Sequence, residues 1–394
     1  MKILIFSWRD IKNPKSGGAE VYTHEIAKRW VKLGNEVSLV SAGFPGSKPQ
    51  EQIDGVKIFR PVFFDRYSPL DYLVYLAKTR NFYKKYYEGR VDIVIDQVHG
   101  LPLFCKFYVK EKVIALPCEV AKKIWFYEIP FPFSLFGYIL EFVYLKYYRE
   151  NHFLTISPST ARDLTSCGIK NVSYALPGIS FKPVKLIPQK SQFALIVCLG
   201  RLNKMKRIDH TIRAFKDVSV NFPDARLVVV GRSSDEYTNN LKSLTKKLRI
   251  GNKVEFVGFI SEIEKINLLK KAWLIVSTSL HEGWGINIIE AAACGTPAVA
   301  YKVPGLIDSV KDNETGILCP KNTPEELAYK LSLLISDHRL RLRLSSGALV
   351  YSRQFTWDKT ATQSLKILKV VLELGQNGQI TTPVGQTRRS QLQA

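Results

Sequence analysis

The sequence predicts an α/β protein of two domains, each built on a parallel β-sheet covered by helices, and three observations carry that reading. The chain has 394 residues, more than one hydrophobic core usually organises, so two domains of about 100–200 residues each are expected. It is 46% hydrophobic and 11% aromatic, with glycine and proline dispersed, which supplies a core and excludes a disordered chain. Short apolar runs alternate with helix-period segments, as parallel strands buried on both faces do.

Residues 2–8 read as a first strand rather than a signal peptide, because one lysine and a short apolar run lead directly into a polar loop. The loop ends in Ser16-Gly17-Gly18, and a helix follows with Ala19, Tyr22, Ile26, Trp30 and Leu33 on one face. Glu20, Glu25, Lys28, Arg29 and Lys32 fall largely on the other face, and Gly34 stops the helix before a strand at 36–40. This β-loop-α-β unit has neither GxGxxG nor a Walker lysine-serine pair, so it predicts no standard dinucleotide or P-loop site. Its Gly-Gly pair is either a flexible turn or a place where N–H groups meet a phosphate.

A strand at 91–95 runs into Asp96-Gln97-Val98-His99-Gly100. That puts His99 beyond the C-terminal end of a strand, the edge that faces the ligand crevice in open α/β sheets. A strand at 153–156 and a capped helix at 157–168 follow, and Pro177, Pro183 and Pro188 mark a linker at 176–190. The first domain is therefore read as residues 1–183. A second alternation has strands at 193–199, 226–231 and 254–258, with helices from Ile208, up to about Ile250 and near 263–271. It forms the second domain, residues 184–355. The chain then reads as helical to about Leu374, with a final helix at about 356–374 that can pack back on the first domain, and 375–394 have the composition of a disordered end.

The formal net charge of +22 draws the chain to something anionic: phosphorylated small molecules, anionic lipid surfaces or nucleic acid. Six cysteines stand singly with no CxxC, which argues against zinc and a disulfide framework and for a reducing, cytoplasmic compartment. Two segments are unusually aromatic. Residues 60–90 interleave nine phenylalanines and tyrosines with Arg66, Lys78, Arg80, Lys84 and Lys85, and residues 125–148 hold IWFYEIPFPFSLFGYILEFVYLKYY with its neighbours. The apolar part of the second, 131–145, is shorter than the roughly 20 residues that span a bilayer. Both segments are either core helices or an aromatic and basic surface for the headgroup zone of a membrane.

Chemistry concentrates in residues 277–300, STSLHEGWGINIIEAAACGTPAVA. A buried strand at 273–278 precedes it, Gly283 and Gly285 let the backbone approach a ligand, and INIIEAAAC begins a helix. Glu282 and Glu290 flank that helix start. Its N–H groups favour phosphate, and a carboxylate can accept hydrogen bonds from sugar hydroxyls. After the strand ending at Leu199 stand Gly200-Arg201, with Lys206 five residues beyond the arginine. Two such cations can hold a diphosphate and stabilise the charge that develops as it departs. No Asp-x-Asp occurs, and His24-Glu25 is not completed by a histidine at Lys28, so no metal is expected to be required.

These residues resemble a retaining glycosyltransferase of family 4 (glycosyl transferases group 1), whose GT-B fold has two facing Rossmann-like domains and an interdomain cleft. The match is carried by Gly17-Gly18-Ala19-Glu20, His99, Gly200-Arg201 with Lys206, His281-Glu282-Gly283-Trp284-Gly285, Glu290-Ala291, Gly295-Thr296-Pro297 and Thr315-Gly316, in the family's order. The resemblance implies that Glu290 binds the ribose hydroxyls of a nucleotide-diphosphate sugar. Glu282, with the N–H groups of Gly283, Trp284, Gly285 and Ile286, would hold the sugar and phosphates. Arg201 and Lys206 would grip the diphosphate, Gly17 and Gly18 would approach it from the first domain, and His99 would sit near the sugar without acting as a nucleophile. Catalytic roles thus fall to His99, Arg201, Lys206 and Glu282.

The sequence departs from the family at Arg207, where glycine is usual after the lysine, at Cys118, which replaces a common histidine, and at Pro177, which stands for a common asparagine. The acceptor is read as lipid-linked or a polysaccharide at the cytoplasmic face of a membrane. A nucleic-acid or small-molecule acceptor, a nucleotide-sugar epimerase of the same fold and a non-catalytic sugar-nucleotide binder are the other readings, with nucleic acid disfavoured because no motif that reads it appears.

Overall fold

The computed structural model describes residues 1–64, 69–232 and 234–377. Arg66 and Tyr67 of the first aromatic segment and residues 378–394 of the tail lie outside the described residues. The chain divides into two compact units. One comprises Met1–Trp125, Phe131–Gly178 and Trp357–Ala394, and the other Phe126–Pro130 and Ile179–Thr356.

The strands of the first unit are β1 (Lys2–Phe6), β2 (Glu36–Val40), β3 (Gln50–Ile53), β4 (Val56–Phe59), β5 (Ile93–Val98), β6 (Lys112–Pro117), β7 (His152–Thr155) and β8 (Val172–Tyr174). They form one sheet in the order β3-β4-β2-β1-β5-β6-β7-β8, parallel except for the β3–β4 hairpin. The first strand stops at Phe6, two residues short of the expected Trp8. The hairpin was not read from the sequence, although its signal is an Asp54-Gly55 turn with both residues at positive φ. The central β5 is buried along its whole length, whereas β3 at the edge alternates.

Helices α1 (Gly18–Lys32) and α2 (Pro69–Tyr86) belong to it, α3 (Trp125–Glu128) begins in it at Trp125 and otherwise falls in the second unit, and α4 (Phe133–Tyr148) and α5 (Pro158–Ser166) belong to it again. In α1 Tyr22, Ile26 and Trp30 are buried as its periodicity requires, but so is Glu20, which belonged to the expected polar face. Leu33, expected on the apolar face, is 55% exposed. The second aromatic segment is neither wholly core nor wholly surface: Tyr144 and Tyr148 are buried, while Phe133, Phe136 and Phe142 are exposed.

The second unit has strands β9 (Leu195–Leu199), β10 (Arg226–Val230), β11 (Val254–Gly258), β12 (Leu274–Ser277), β13 (Ala298–Tyr301) and β14 (Gly316–Cys319), in the order β11-β10-β9-β12-β13-β14. All its pairings are parallel. Helices α6 (Ile208–Asn221), α7 (Asp235–Lys247), α8 (Glu262–Lys271), α9 (Ile286–Ala293), α10 (Leu306–Ser309), α11 (Pro324–Ser336) and α12 (His338–Ser352) complete it. Its core joins Ile196, Val197, Leu227, Val229, Ile275 and Val299 of the sheet to Phe215 and Leu331 of the helices.

The last helix, α13 (Trp357–Asn377), belongs to the first unit and packs along α1. There the Trp30 indole N–H donates to Ala361 O at 3.0 Å, and the Tyr22 and Trp357 rings meet edge to face at 5.9 Å. This helix runs to Asn377, so its last three residues, 375–377, occupy positions read from composition as tail.

Candidate functional site

Each sheet has one point where the strand order reverses, and loops beyond the carboxyl ends of strands meet there. In the second unit that point lies between β9 and β12, because β10 and β11 extend the sheet on one side and β13 and β14 on the other. Arg201 and Lys206 follow β9, and Glu282 follows β12.

The two loops are stitched together below the charged groups. Thr278 Oγ1 donates toward the carbonyls of Lys206 and Arg207, at 2.8 and 2.9 Å, and Asn203 Oδ1 accepts from the Lys206 N–H at 3.2 Å. Above them Lys206 Nζ forms an ion pair with Glu282 Oε1, and Ser279 Oγ donates to the same oxygen at 2.6 Å. Burial pushes the Glu282 carboxyl up, but Lys206, Ser279 and the neighbouring His281 outweigh it and hold the group below its ordinary range. The side chains of Lys206 and Glu282 remain 23% and 18% exposed, so the pair is open to a ligand. Arg201 is exposed and has no ion pair among the described residues.

Backbone shape supports this arrangement at two glycines. Gly285 has φ +87° and turns the loop into α9. Gly305 has φ +78° and lies so close beneath Glu282 that a Cβ would come within 2.0 Å of the Glu282 carbonyl oxygen. Asn287 Nδ2 donates to Leu199 O at 2.8 Å, fastening the first turn of α9 to the end of β9. Among the described residues the N–H groups of Gly283, Gly285 and Ile286 have no hydrogen-bond partner, which leaves the donors of a helix start to a ligand. The Trp284 side chain does not take part. It is 3% exposed and packs against Phe355 with ring centroids 5.5 Å apart, so only its backbone remains for the role expected of it.

Glu290, one turn further along α9, has a side chain 7% exposed. Lys265 of α8 holds its Oε1 at 2.8 Å, while Oε2 is buried and has no hydrogen-bond partner among the described residues. Burial raises this carboxyl and Lys265 only partly offsets it, so Glu290 titrates above the ordinary carboxylate value. Nothing in the sequence pattern pointed to Lys265, whose partner lies 25 positions away.

Arg207 adopts φ +45°, which accounts for a preference for glycine at this position. The arginine is retained by other contacts. Its Nε donates to Thr278 O at 3.1 Å, and its guanidinium lies 4.8 Å above the Tyr301 ring, whose hydroxyl meets His210 Nδ1 at 2.9 Å.

In the first unit the reversal lies between β1 and β5, where Gly17, Gly18 and His99 stand. Glu20 is their centre. Its Oε1 accepts from Arg9 Nε at 2.8 Å and lies 3.6 Å from His99 Nε2, and its Oε2 accepts the Gly17 N–H at 2.7 Å. The Gly17 N–H, expected to face a phosphate, is therefore taken by Glu20. Burial raises the Glu20 carboxyl, but His99, Arg9 and Gly17 bring it below its ordinary range. The signal for this role was a glutamate three residues into a helix.

Asp96, fully buried, fixes the chain around His99 by accepting from the N–H groups of Leu103 and Cys105 and from the Tyr148 hydroxyl. A cavity of about 130 Å³ beside His99 is lined by Trp8, Tyr72, Gln97, Leu101 and Trp125. Burial pushes the Cys118 thiol up, which makes it a neutral group rather than a thiolate.

Models of known protein families match both halves of the chain. The family model for glycosyl transferases group 1 matches residues 183–350, and that for glycosyltransferase family 4 matches residues 16–180. An uncharacterized glycosyltransferase of Methanocaldococcus jannaschii is 26% identical over 95% of this chain and 99% of its own length. Sucrose-phosphate synthase from Thermosynechococcus elongatus superposes with a TM-score of 0.80 at 19% identity, over 94% of this chain and 99% of that one. Anabaena HepE, solved in complex with UDP and glucose, superposes with a TM-score of 0.71 at 18% identity, over 94% of this chain and all of that one. Matched in both halves by these models, the chain belongs to glycosyltransferase family 4, the glycosyl transferases group 1, and is a glycosyltransferase of GT-B fold.

Proposed function

We propose that the protein transfers a sugar from a nucleotide-diphosphate sugar, with retention of configuration, to a lipid-linked or polysaccharide acceptor at the cytoplasmic face of a membrane. One observation carries the donor half of this reading: a buried glutamate with one oxygen unpartnered among the described residues stands one turn from a helix start with open N–H groups, and the same sheet edge carries an ion-paired lysine and an exposed arginine. Glu290 accepts hydrogen bonds from the ribose hydroxyls. Arg201 and Lys206 bind the diphosphate and stabilise its charge as the glycosidic bond breaks. Glu282 positions Lys206 and accepts from hydroxyls of the sugar.

The likeness to HepE, which was solved with UDP and glucose, supports the donor class. The acceptor class rests on the charge of +22 and the aromatic, basic surface of the first unit. Because two cations stabilise the leaving group, turnover is expected to persist in EDTA.

The test is a screen of nucleotide sugars for turnover, with the anomer of the product read by NMR. Glu290→Ala and Arg201→Ala should each abolish most turnover, and folded variants that retain it in full would sink the reading. An isomerised sugar formed without any acceptor would identify an epimerase instead.

A further inference from the structure

Helix α4 is built the wrong way round for a soluble surface. Its inward residues include Ser134, Gly137 and Glu141, and its outward residues are large and apolar. Phe131, just before it, is 77% exposed, Phe133 56%, Phe136 65%, Ile139 53%, Phe142 44% and Tyr147 59%. An amphipathic helix of a soluble domain places these groups inward, and a contiguous apolar face of this kind marks an interaction surface.

The orientation is fixed by the contacts beneath. Gly137 lies against the Trp125 ring so closely that a Cβ would come within 2.4 Å of it. Glu141 accepts from the N–H groups of Ala121 and Lys122, at 2.7 and 2.6 Å, and from Trp125 Nε1 at 3.3 Å. Tyr148 donates to the buried Asp96. Rolling the helix to hide its phenylalanines would strip the buried Glu141 and Asp96 of these partners.

Charge identifies what covers the face. Along α4 itself Glu141 is the only carboxylate and it is buried, whereas Lys146 is exposed; beyond the helix the exposed Arg149 pairs with the exposed Glu150 at 3.3 Å. Phe107, 59% exposed, meets the Tyr147 ring at 6.0 Å, and the adjoining Lys106 ammonium donates to Tyr147 O. Right-handed crossovers put α2 on the same face of the eight-stranded sheet as α4, and α2 exposes Lys78, Arg80, Lys84 and Lys85. A second copy would bring two such basic rims together, while an anionic lipid surface complements them. The helix cannot cross the bilayer: its 16 residues extend about 24 Å against a hydrocarbon core of about 30 Å.

We propose that α4 lies flat in the interface of an anionic membrane, with Phe131, Phe133, Phe136, Ile139 and Phe142 at the boundary of headgroups and acyl chains and the surrounding lysines and arginines on the lipid phosphates. The inference rests on the reading of a membrane-borne acceptor and supplies the element that docks. The experiment is sedimentation of the full chain with vesicles of phosphatidylglycerol and phosphatidylcholine, or of phosphatidylcholine alone. Wild type should pellet with the anionic vesicles and be released by salt.

Phe136→Ser with Phe142→Ser, both at exposed positions, should lower partitioning about a hundredfold, since each phenylalanine withdrawn from an apolar phase is worth about tenfold. Leu33→Ser, at the exposed residue just after α1, should change nothing. Wild type that stays in solution, or a double variant that pellets as before, overturns the proposal. So does a wild-type dimer, seen by sedimentation velocity without lipid, that the double variant dissociates. Nucleotide-sugar turnover is read on the same samples. Vesicle binding lost with turnover kept supports this inference, and vesicle binding present with no turnover refutes the transferase reading alone.

Discussion

The two units place a carboxylate and a cation at the same topological point, yet they use them in opposite ways. In the first unit Glu20 is sealed, with a side chain 1% exposed, and both of its oxygens are engaged within the fold, by Arg9, His99 and the Gly17 N–H. In the second unit Glu282 and Lys206 are paired but partly open, and Glu290 keeps one oxygen in reserve. A buried ion pair with every partner satisfied orders the chain around it, whereas one with exposed atoms can exchange its partner for a ligand. The difference teaches that a reversal of strand order makes a crevice without deciding whether its charges are scaffold or machinery.

Substitutions separate the two uses, beginning with the largest expected effect. Lys206→Ala should lower kcat about a thousandfold, on the order of 4 kcal/mol, because the cation acts most strongly on the charge of the transition state. Near-normal kcat in this variant would erase the contrast. Glu20→Ala should instead appear mainly as a loss of about 3 kcal/mol in urea unfolding, since Arg9 and the Gly17 N–H lose their partner inside the fold. Its donor KM should hardly move.

The contrast also has a pH signature. The Glu20 carboxyl is depressed in the folded state, so its contribution to stability is present above the unfolded carboxylate value and is lost as pH falls through the lower folded value. In Glu20→Ala the acid limb of the stability profile should be shallower by that amount. Glu290 is shifted the other way. As pH falls, protonation should remove its ionised form above the ordinary glutamate range and raise the donor KM there.

Lys265→Met removes the cation that limits this shift. It should raise the donor KM about tenfold near neutral pH, move its pH dependence upward and leave kcat in saturating donor nearly unchanged. A kcat effect equal to the KM effect would place Lys265 in the chemistry rather than behind Glu290. The smallest effect is expected for Arg207→Gly. Relief of a positive φ, about 1 kcal/mol, should nearly cancel the lost contacts to Thr278 and Tyr301, as thermal unfolding would measure.

Much of the fold was legible because parallel strands advertise themselves as short continuous apolar runs, and β5, β9 and β12 fall where those runs do. Short strands such as β8 and β14 escaped, since three or four residues carry too little pattern. The donor-side residues were legible as a group from their types and order. Their partners were not. Lys265 looked like one of many surface lysines, and Glu20 followed the polar stripe of α1, because periodicity records which residues are polar and not which polar residues are satisfied inside.

The sequence alone determined the alternation of strands and helices, the net charge, and the spacing that sets Glu282 before α9 and Glu290 within it. Those are local properties, written in neighbouring residues. Tertiary structure alone decided that Lys206 reaches Glu282 across 76 positions, that Glu20 turns inward, and that α4 faces outward with its phenylalanines. Each outcome is a competition between distant groups for one buried place. On α4 the hydrogen bonds of Glu141 and Tyr148 and the fit of Gly137 on Trp125 won it over the apolar residues beside them.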